Sequence, residues 1–212
     1  MKGIVIPNTC ELGGSAVGII QNERHLITDK NLQPGDRMLL FKSSGVNANG
    51  LSLARAVATK LSDGYATKLP SGELYGEALL TKTNIYANTV RVLLDAGVDL
   101  HYISNITGHG LRKIMRARQD YTYVLENILQ PQEVFSFIQE HASLDDYEMY
   151  QTYNMGMDYA LFLPEKDIAK AQEIVKQNGF ESINAGYIEE GKRQVIIKPK
   201  NLTYKGATLD LR

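Results

Sequence analysis

SSGVNANGLSL, residues 43–53, is the most informative stretch of this chain, because small and polar residues join a strand pattern to a helix pattern there. The apolar run 37–41 before it is typical of a buried strand. After it, apolar residues recur at helical spacing, at Leu53, Ala54, Val57 and Leu61. We therefore predict a strand, a loop and a helix in succession, with the loop at the helix N-terminus.

This first loop has the composition of an anion-binding site. Small residues before a helix leave backbone N–H groups accessible at the positive end of the helix dipole, which favours phosphate or carboxylate. We predict contacts to phosphate or ribose from Ser44, Gly45, Asn47, Asn49 and Gly50. The alternative is that these residues only supply turn geometry and a helix cap. The chain contains neither GxxxxGK(S/T) nor a GxGxxG behind a first strand, so a nucleotide site would differ from both common types.

Two later loops have the same character. The second loop, NITGHG at residues 105–110, follows an apolar run, and the third, TYNMG at residues 152–156, precedes another. We expect the three loops to form one composite site, with further contacts from Thr107, Gly110, Asn154 and Gly156. His109 lies between two glycines and is the predicted catalytic residue, because an imidazole can donate, accept or transfer a proton near neutral pH. A structural or incidental role for His109 is the alternative.

The remaining patterns mix strands and helices. Strand patterns cover 15–20, 98–103, 121–125 and 157–163, and a turn at 189–192 indicates a hairpin between strands 183–188 and 194–197. Helix patterns cover 73–80, 86–96, 111–118, 145–150 and 164–178, and Pro131 is placed like the first-turn proline of a further helix. Elements in this order predict an α+β fold, a layered α/β sandwich with a mixed sheet.

Composition argues against several functions. The chain has 212 residues, a formal net charge of -1 and a single cysteine, Cys10. A nucleic acid needs a basic face, and the densest basic group, within residues 112–118, does not recur. No apolar run is long enough to cross a bilayer, and Cys10 has no disulfide partner, so we expect a cytoplasmic protein that binds neither nucleic acid nor membrane. We expect no metal site. Asp158 is the nearest candidate for a magnesium-phosphate contact, and a purely structural role is the simpler interpretation.

Several motifs, in the same order, resemble the C-terminal half of aminoimidazole ribonucleotide synthetase, also called phosphoribosylformylglycinamidine cyclo-ligase. The resemblance covers nearly the whole chain and includes the first and second loops. It also includes PGD at 34–36, GEALLT at 76–81, IY at 85–86, EM at 148–149 and NMG at 154–156. The first loop favours the cyclo-ligase branch over the selenophosphate, thiamine-phosphate and hydrogenase-maturation relatives.

This resemblance implies an ATP-dependent ring closure in purine biosynthesis. In that family, ATP and magnesium belong largely to an N-terminal domain, so neither is expected on this chain alone. Residues 1–20 are then expected to be the terminal strand of a missing N-terminal ATP-binding domain, and residues 21–212 the C-terminal α/β domain. The implied partners are a phosphorylated ribonucleotide, the missing domain and a second copy in a homodimer. By itself the chain should not catalyse the reaction, and a non-catalytic binding or regulatory module is the alternative.

The chain also departs from the family pattern at positions of chemical interest. Asn47 stands where the family usually carries a histidine in the first loop, and Asn105 stands at the leading histidine of the second. His109 replaces that loop's middle glycine, while Lys82 and Asn84 replace a proline and an arginine. Asparagine cannot exchange a proton at neutral pH, so any proton transfer by the family histidines is lost unless His109 has taken it over.

Overall fold

A seven-stranded sheet forms the centre of the molecule, which a computed structural model describes over residues 13–20 and 22–209. Its strands are β1 (Arg37–Lys42), β2 (Tyr102–Asn105), β3 (Tyr121–Leu125), β4 (Met157–Leu163), β5 (Ser182–Glu190), β6 (Gln194–Ile197) and β7 (Leu202–Lys205). The α-helices of these residues are α1 (Leu51–Ala58), α2 (Tyr75–Leu79), α3 (Ala87–Asp95), α4 (Glu133–Ala142), α5 (Asp146–Thr152) and α6 (Glu165–Gln177). A 3-10 helix, Gly110–Arg116, follows the second loop.

The sheet is mixed, with the strand order β2-β4-β1-β5-β3-β6-β7. β3 and β6 run parallel, and the other neighbouring strands run antiparallel. Helices pack against both faces, so the predicted α+β sandwich with a mixed sheet is confirmed.

Strand β1 shows how the two faces are covered. Its side chains alternate, so that Met38 and Leu40 join the larger apolar cluster while Leu39 and Phe41 join the smaller one on the opposite face. All four side chains are fully buried, which explains why this strand is a continuous apolar run rather than an alternating one. The larger cluster includes residues of α1, α2, α4 and α5, and the smaller one includes residues of α3 and α6.

The strand order brings the three loops to one end of the sheet. β1 runs into the first loop, and its last residue, Lys42, pairs with Met157, the first residue of β4 after the third loop. β2, the other neighbour of β4, runs into the second loop from Asn105. Because both neighbours are antiparallel to β4, the ends of β1 and β2 and the start of β4 lie side by side.

Most predicted elements are present, and the differences are instructive. The strand predicted over 98–103 is regular only from Tyr102 to Asn105, and the basic helix predicted over 111–118 is the 3-10 helix. α4 begins at Glu133 with Gln132 as its N-cap, so Pro131 precedes the helix rather than starting its first turn. β7 was not predicted.

The predicted hairpin is wrong. β5 and β6 follow each other in sequence, but β3 lies between them, paired antiparallel with β5 and parallel with β6. The turn at 189–192 therefore connects two strands that share a neighbour instead of a hydrogen-bonded pair.

The predicted buried strand at 15–20 is also wrong for this chain. Residues 13–20 form no strand and are exposed, with Val17 99 % and Ile19 87 % exposed. Glu11 and Leu12 lie outside the described residues, as does Cys10. That residues 1–20 form a strand of another domain stays a prediction. Among the described helices, none is long and apolar enough to span a membrane.

Candidate functional site

Asn154 joins the first and third loops. Its side-chain amide donates to the backbone oxygen of Gly45 at 2.9 Å, and its Oδ1 accepts from the Gly156 N–H at 2.9 Å. The Ser43 N–H donates to the Gly156 oxygen at 2.9 Å. Asn154 is fully buried, so these contacts make it a clamp between loops, and its direct contact with a ligand stays a prediction.

Three glycines let the loops approach closely. A Cβ at Gly50 would lie 2.2 Å from the Tyr153 ring, and one at Gly110 would lie 2.2 Å from the Tyr150 oxygen. A Cβ at Gly156 would lie 3.0 Å from Pro131 Cα. All three also have positive φ angles, which glycine adopts at no steric cost. These predicted site residues therefore have a packing reason to be glycine, whatever they bind.

The second loop lies against the other two. The Ile106 N–H donates to the Asp158 backbone oxygen at 2.8 Å, which ties the loop to the start of β4. A Cβ at Gly108 would lie 3.7 Å from Asn49 Oδ1. The structure thus brings all three predicted loops together, as expected of a composite site.

A buried carboxylate sits beneath the first loop. Asp158, 2 % exposed, accepts from the Tyr86 hydroxyl at 2.5 Å and from Asn47 Nδ2 at 2.9 Å. Burial raises the pKa of Asp158, and the hydrogen bonds from Tyr86 and Asn47 offset part of that rise. Burial also raises the pKa of Tyr86, which keeps its hydroxyl a donor. With both oxygens engaged, Asp158 orients Asn47.

The first loop contains three buried polar atoms without a hydrogen-bond partner among the described residues. They are Ser44 Oγ, Asn47 Oδ1 and Asn49 Nδ2. Leaving such an atom unpaired costs about 1 to 3 kcal/mol, and native proteins contain few of them. Because Asp158 holds Asn47 Nδ2, Asn47 Oδ1 remains as an acceptor. Three such atoms in one loop indicate that an additional hydrogen-bonding group belongs there.

His109 is held by Arg116. Its Nδ1 lies 3.2 Å from Arg116 Nη2, and a guanidinium can only donate, so Nδ1 accepts and the ring proton resides on Nε2. His109 has φ of 79°, in the left-handed region, which turns the chain into the 3-10 helix. In this tautomer the ring can donate a hydrogen bond from Nε2, and its predicted catalytic role stays a prediction.

Thr107 contacts Lys113, which is not among the predicted site residues. Lys113 Nζ donates to Thr107 Oγ1. Burial lowers the pKa of Lys113, and the nearby Arg116 charge lowers it further. Lys113 and Arg116 were noted in sequence only as part of a basic helix. Their position directly after the second loop was the signal that both belong beside it.

The described residues give magnesium no ready set of ligands. No group of three or more His, Cys, Asp or Glu side chains among them could hold a metal ion. Both oxygens of Asp158, the candidate for a magnesium-phosphate contact, already accept hydrogen bonds from protein side chains. His101 lies apart from the loops as a buried partner of Asp36, at 2.8 Å.

Comparisons with known proteins agree with this architecture. The family described as "AIR synthase related protein, C-terminal domain" matches residues 33–198. Phosphoribosylformylglycinamidine cyclo-ligase of Methanopyrus kandleri is 36% identical over 170 residues, covering 80% of this chain and 48% of that protein. The enzyme of the same name from Lachnospira eligens is 33% identical over 199 residues, covering 92% of this chain and 58% of the relative.

A solved structure shows the same fold. Hydrogenase maturation protein HypE in complex with ATP has a TM-score of 0.53 and 15% identity, and the match covers 84% of this chain and 52% of HypE. The chain spans about half the length of these curated relatives, matching their C-terminal half. The chain therefore belongs to the AIR synthase related family and corresponds to its C-terminal domain.

Proposed function

We propose that this chain is the C-terminal half of a phosphoribosylformylglycinamidine cyclo-ligase-like protein of purine biosynthesis. In this proposal its three loops form one wall of a cleft for a phosphorylated ribonucleotide. The observation that carries the proposal is the set of unpaired buried atoms Ser44 Oγ, Asn47 Oδ1 and Asn49 Nδ2, at the junction of the loops. These neutral groups suit the hydroxyl and amine groups of a ribonucleotide.

The reaction requires more than this chain. We propose that residues 1–20 belong to the terminal strand of an N-terminal domain that binds ATP and magnesium, and that the joined protein works as a homodimer in the cytoplasm. The lack of free ligands for magnesium at the loops supports this division. Both carboxylate oxygens of Asp158 already accept hydrogen bonds, from Tyr86 and Asn47. Residues 21–212 then bind and orient the ribonucleotide, and His109 Nε2–H is a donor for it.

The test is calorimetric titration of the protein joined to its N-terminal half, with ATP and with formylglycinamidine ribonucleotide. We expect heat of binding with both, and ring closure with release of phosphate when both are present. If neither ligand produces heat of binding, the cyclo-ligase proposal is refuted.

The second candidate function is a non-catalytic binding or regulatory module. Asn47 and Asn105 favour it, because neither can exchange a proton where the resemblance places histidines. Binding of the ribonucleotide without turnover in the joined protein would support this alternative. Introducing Asn47→His and Asn105→His together should then raise turnover above the unmodified protein if proton transfer is the missing function.

A further inference from the structure

We propose that Lys113, Arg116 and His109 form an anion-binding subsite beside the second loop, and that this subsite takes the phosphate of a phosphomonoester. The inference rests on the proposed function, since it names the part of the cleft that would hold the ribonucleotide's phosphate. It leaves the ribose to the neutral side chains of the first loop.

The segment that follows the second loop brings two cations back to that loop. Lys113 and Arg116 are three residues apart, but the helix kinks between them at Met115, which has φ of -92° and ψ of 24°, so their contacts place them rather than helix geometry. Both side chains contact the second loop, Lys113 at Thr107 Oγ1 and Arg116 at His109 Nδ1. The two charges therefore converge on the loop that packs against Asn49.

Within residues 13–20 and 22–209, no carboxylate neutralises this pair. Among the described residues, neither Lys113 nor Arg116 forms a salt bridge, whereas six other lysines and arginines do. Arg118, two residues after Arg116, is neutralised by Asp29 through its Nε at 2.9 Å. Two half-buried cations without a counterion repel each other, and an anion between them would remove that cost.

Arg112, on the same helix, is an arginine with a structural role. Its guanidinium donates to the backbone oxygens of His109 at 3.2 Å, Gln151 at 3.1 Å and Thr208. Arg116 has no such set of acceptors, and its buried Nε has no hydrogen-bond partner among the described residues. Arg112 thus fixes the helix, while Arg116 has a donor to spare for a ligand.

The donor set matches a phosphate. A guanidinium, an ammonium and a neutral imidazole N–H supply hydrogen bonds without offering an acceptor, and a phosphate oxygen accepts from each. A carboxylate would satisfy fewer of these donors, because a phosphate group presents three terminal oxygens.

Isothermal titration of the full 212-residue chain with ribose 5-phosphate, ribose and inorganic phosphate tests the subsite. We expect ribose 5-phosphate to bind about 10-fold or more tightly than ribose, and inorganic phosphate to compete with it. The double variant Lys113→Gln, Arg116→Gln should lose about 10-fold or more in affinity for ribose 5-phosphate. The matched control is Lys60→Gln, Lys176→Gln, which removes the same charge from exposed positions and should bind like the unmodified chain.

A ring-nitrogen NMR spectrum of His109 gives a readout that does not depend on affinity. Addition of inorganic phosphate should shift the Nε2 resonance in the unmodified chain, and thermal unfolding shows whether the double variant is folded. Equal affinity of the double variant and its control, equal affinity for ribose and ribose 5-phosphate, or no binding at all would each overturn the subsite. Failure of the cyclo-ligase reaction would leave these binding results unchanged, so the two proposals fail separately.

Discussion

Asp158 illustrates how one buried side chain controls what a loop can bind. Its Oδ2 accepts from Asn47 Nδ2, and that contact decides which end of the Asn47 amide is left free. A histidine at position 47 could exchange a proton in this place, whereas asparagine offers only a fixed acceptor. A group that donates a hydrogen bond, such as an amine or a hydroxyl, therefore complements Asn47 Oδ1.

The raised pKa of Asp158 leads to a pH-dependent prediction for stability. Because its folded pKa exceeds the unfolded value of about 3.9, Asp158 contributes stability that is present below that value and is lost as pH rises through the folded pKa. Asp158→Asn does not titrate, so it should gain stability relative to the unmodified chain over this window. The difference between the two free energies of unfolding should widen as pH rises and level off above the folded pKa of Asp158.

Denaturant unfolding of the variants and the unmodified chain from about pH 2 upward measures this difference. Asp146 provides a control of opposite sign, because a hydrogen bond from Gln139 lowers its pKa. Asp146→Asn should therefore lose stability relative to the unmodified chain as pH rises toward the unfolded value of about 3.9, with no further change above it. A constant difference between Asp158→Asn and the unmodified chain would show that the pKa of Asp158 is not raised.

Part of the candidate site could be predicted from residue types alone. The small and polar residues of the three loops predicted one composite site, and the structure brings the three loops together. Sequence reasoning could not predict the hydrogen bond from Tyr86 to Asp158, because the two residues are 72 positions apart in the chain. The importance of Lys113 and Arg116 was hidden for a similar reason, since a sequence does not show which cations lack a counterion.

The junction of the first loop with α1 depends on a close approach that Gly50→Ala should disrupt. Gly50 is the N-cap of α1 with φ of 70°, and its added Cβ would lie 2.2 Å from Tyr153 Cε1. Gly97 has φ of 75° with nothing within 4 Å of an added Cβ. Gly97→Ala therefore measures the cost of the backbone conformation alone, about 1 to 2 kcal/mol.

Gly50→Ala should cost about 1 to 3 kcal/mol more than Gly97→Ala, because the Tyr153 ring must move. Free energies of unfolding from denaturant titrations of the two variants give the comparison. If both variants lose the same stability, the loop tolerates displacement of Tyr153 and the close approach is unimportant.

Strand pairing was the part of the fold that local patterns could not predict. The pattern around 183–197 identified two strands and a turn, and those elements exist. Their pairing is different because β3, some 60 residues earlier in the chain, occupies the space between them. Turn signals report local backbone geometry, whereas the neighbour of a strand depends on where distant apolar strands are buried.

The exposed apolar side chains of residues 13–20 favour packing of this chain against another domain. Residues 13–20 combine high exposure with apolar side chains, while both faces of the sheet are already covered by helices. Together with a match to only half the length of the relatives, this favours our proposal that the segment joins an N-terminal domain.

Val17→Ser with Ile19→Ser tests that proposal by comparing the chain alone with the protein joined to its N-terminal half. In the chain alone, both side chains are nearly fully exposed, so unfolding free energy should change by less than about 0.5 kcal/mol. In the joined protein, a buried strand would lose roughly 1.5 to 3 kcal/mol per apolar side chain. Val175→Ser, at a fully buried position of α6, should destabilise both forms and shows that the assay responds. Small effects of the double variant in both forms, beside a large effect of Val175→Ser, would mean that residues 13–20 remain exposed in the joined protein.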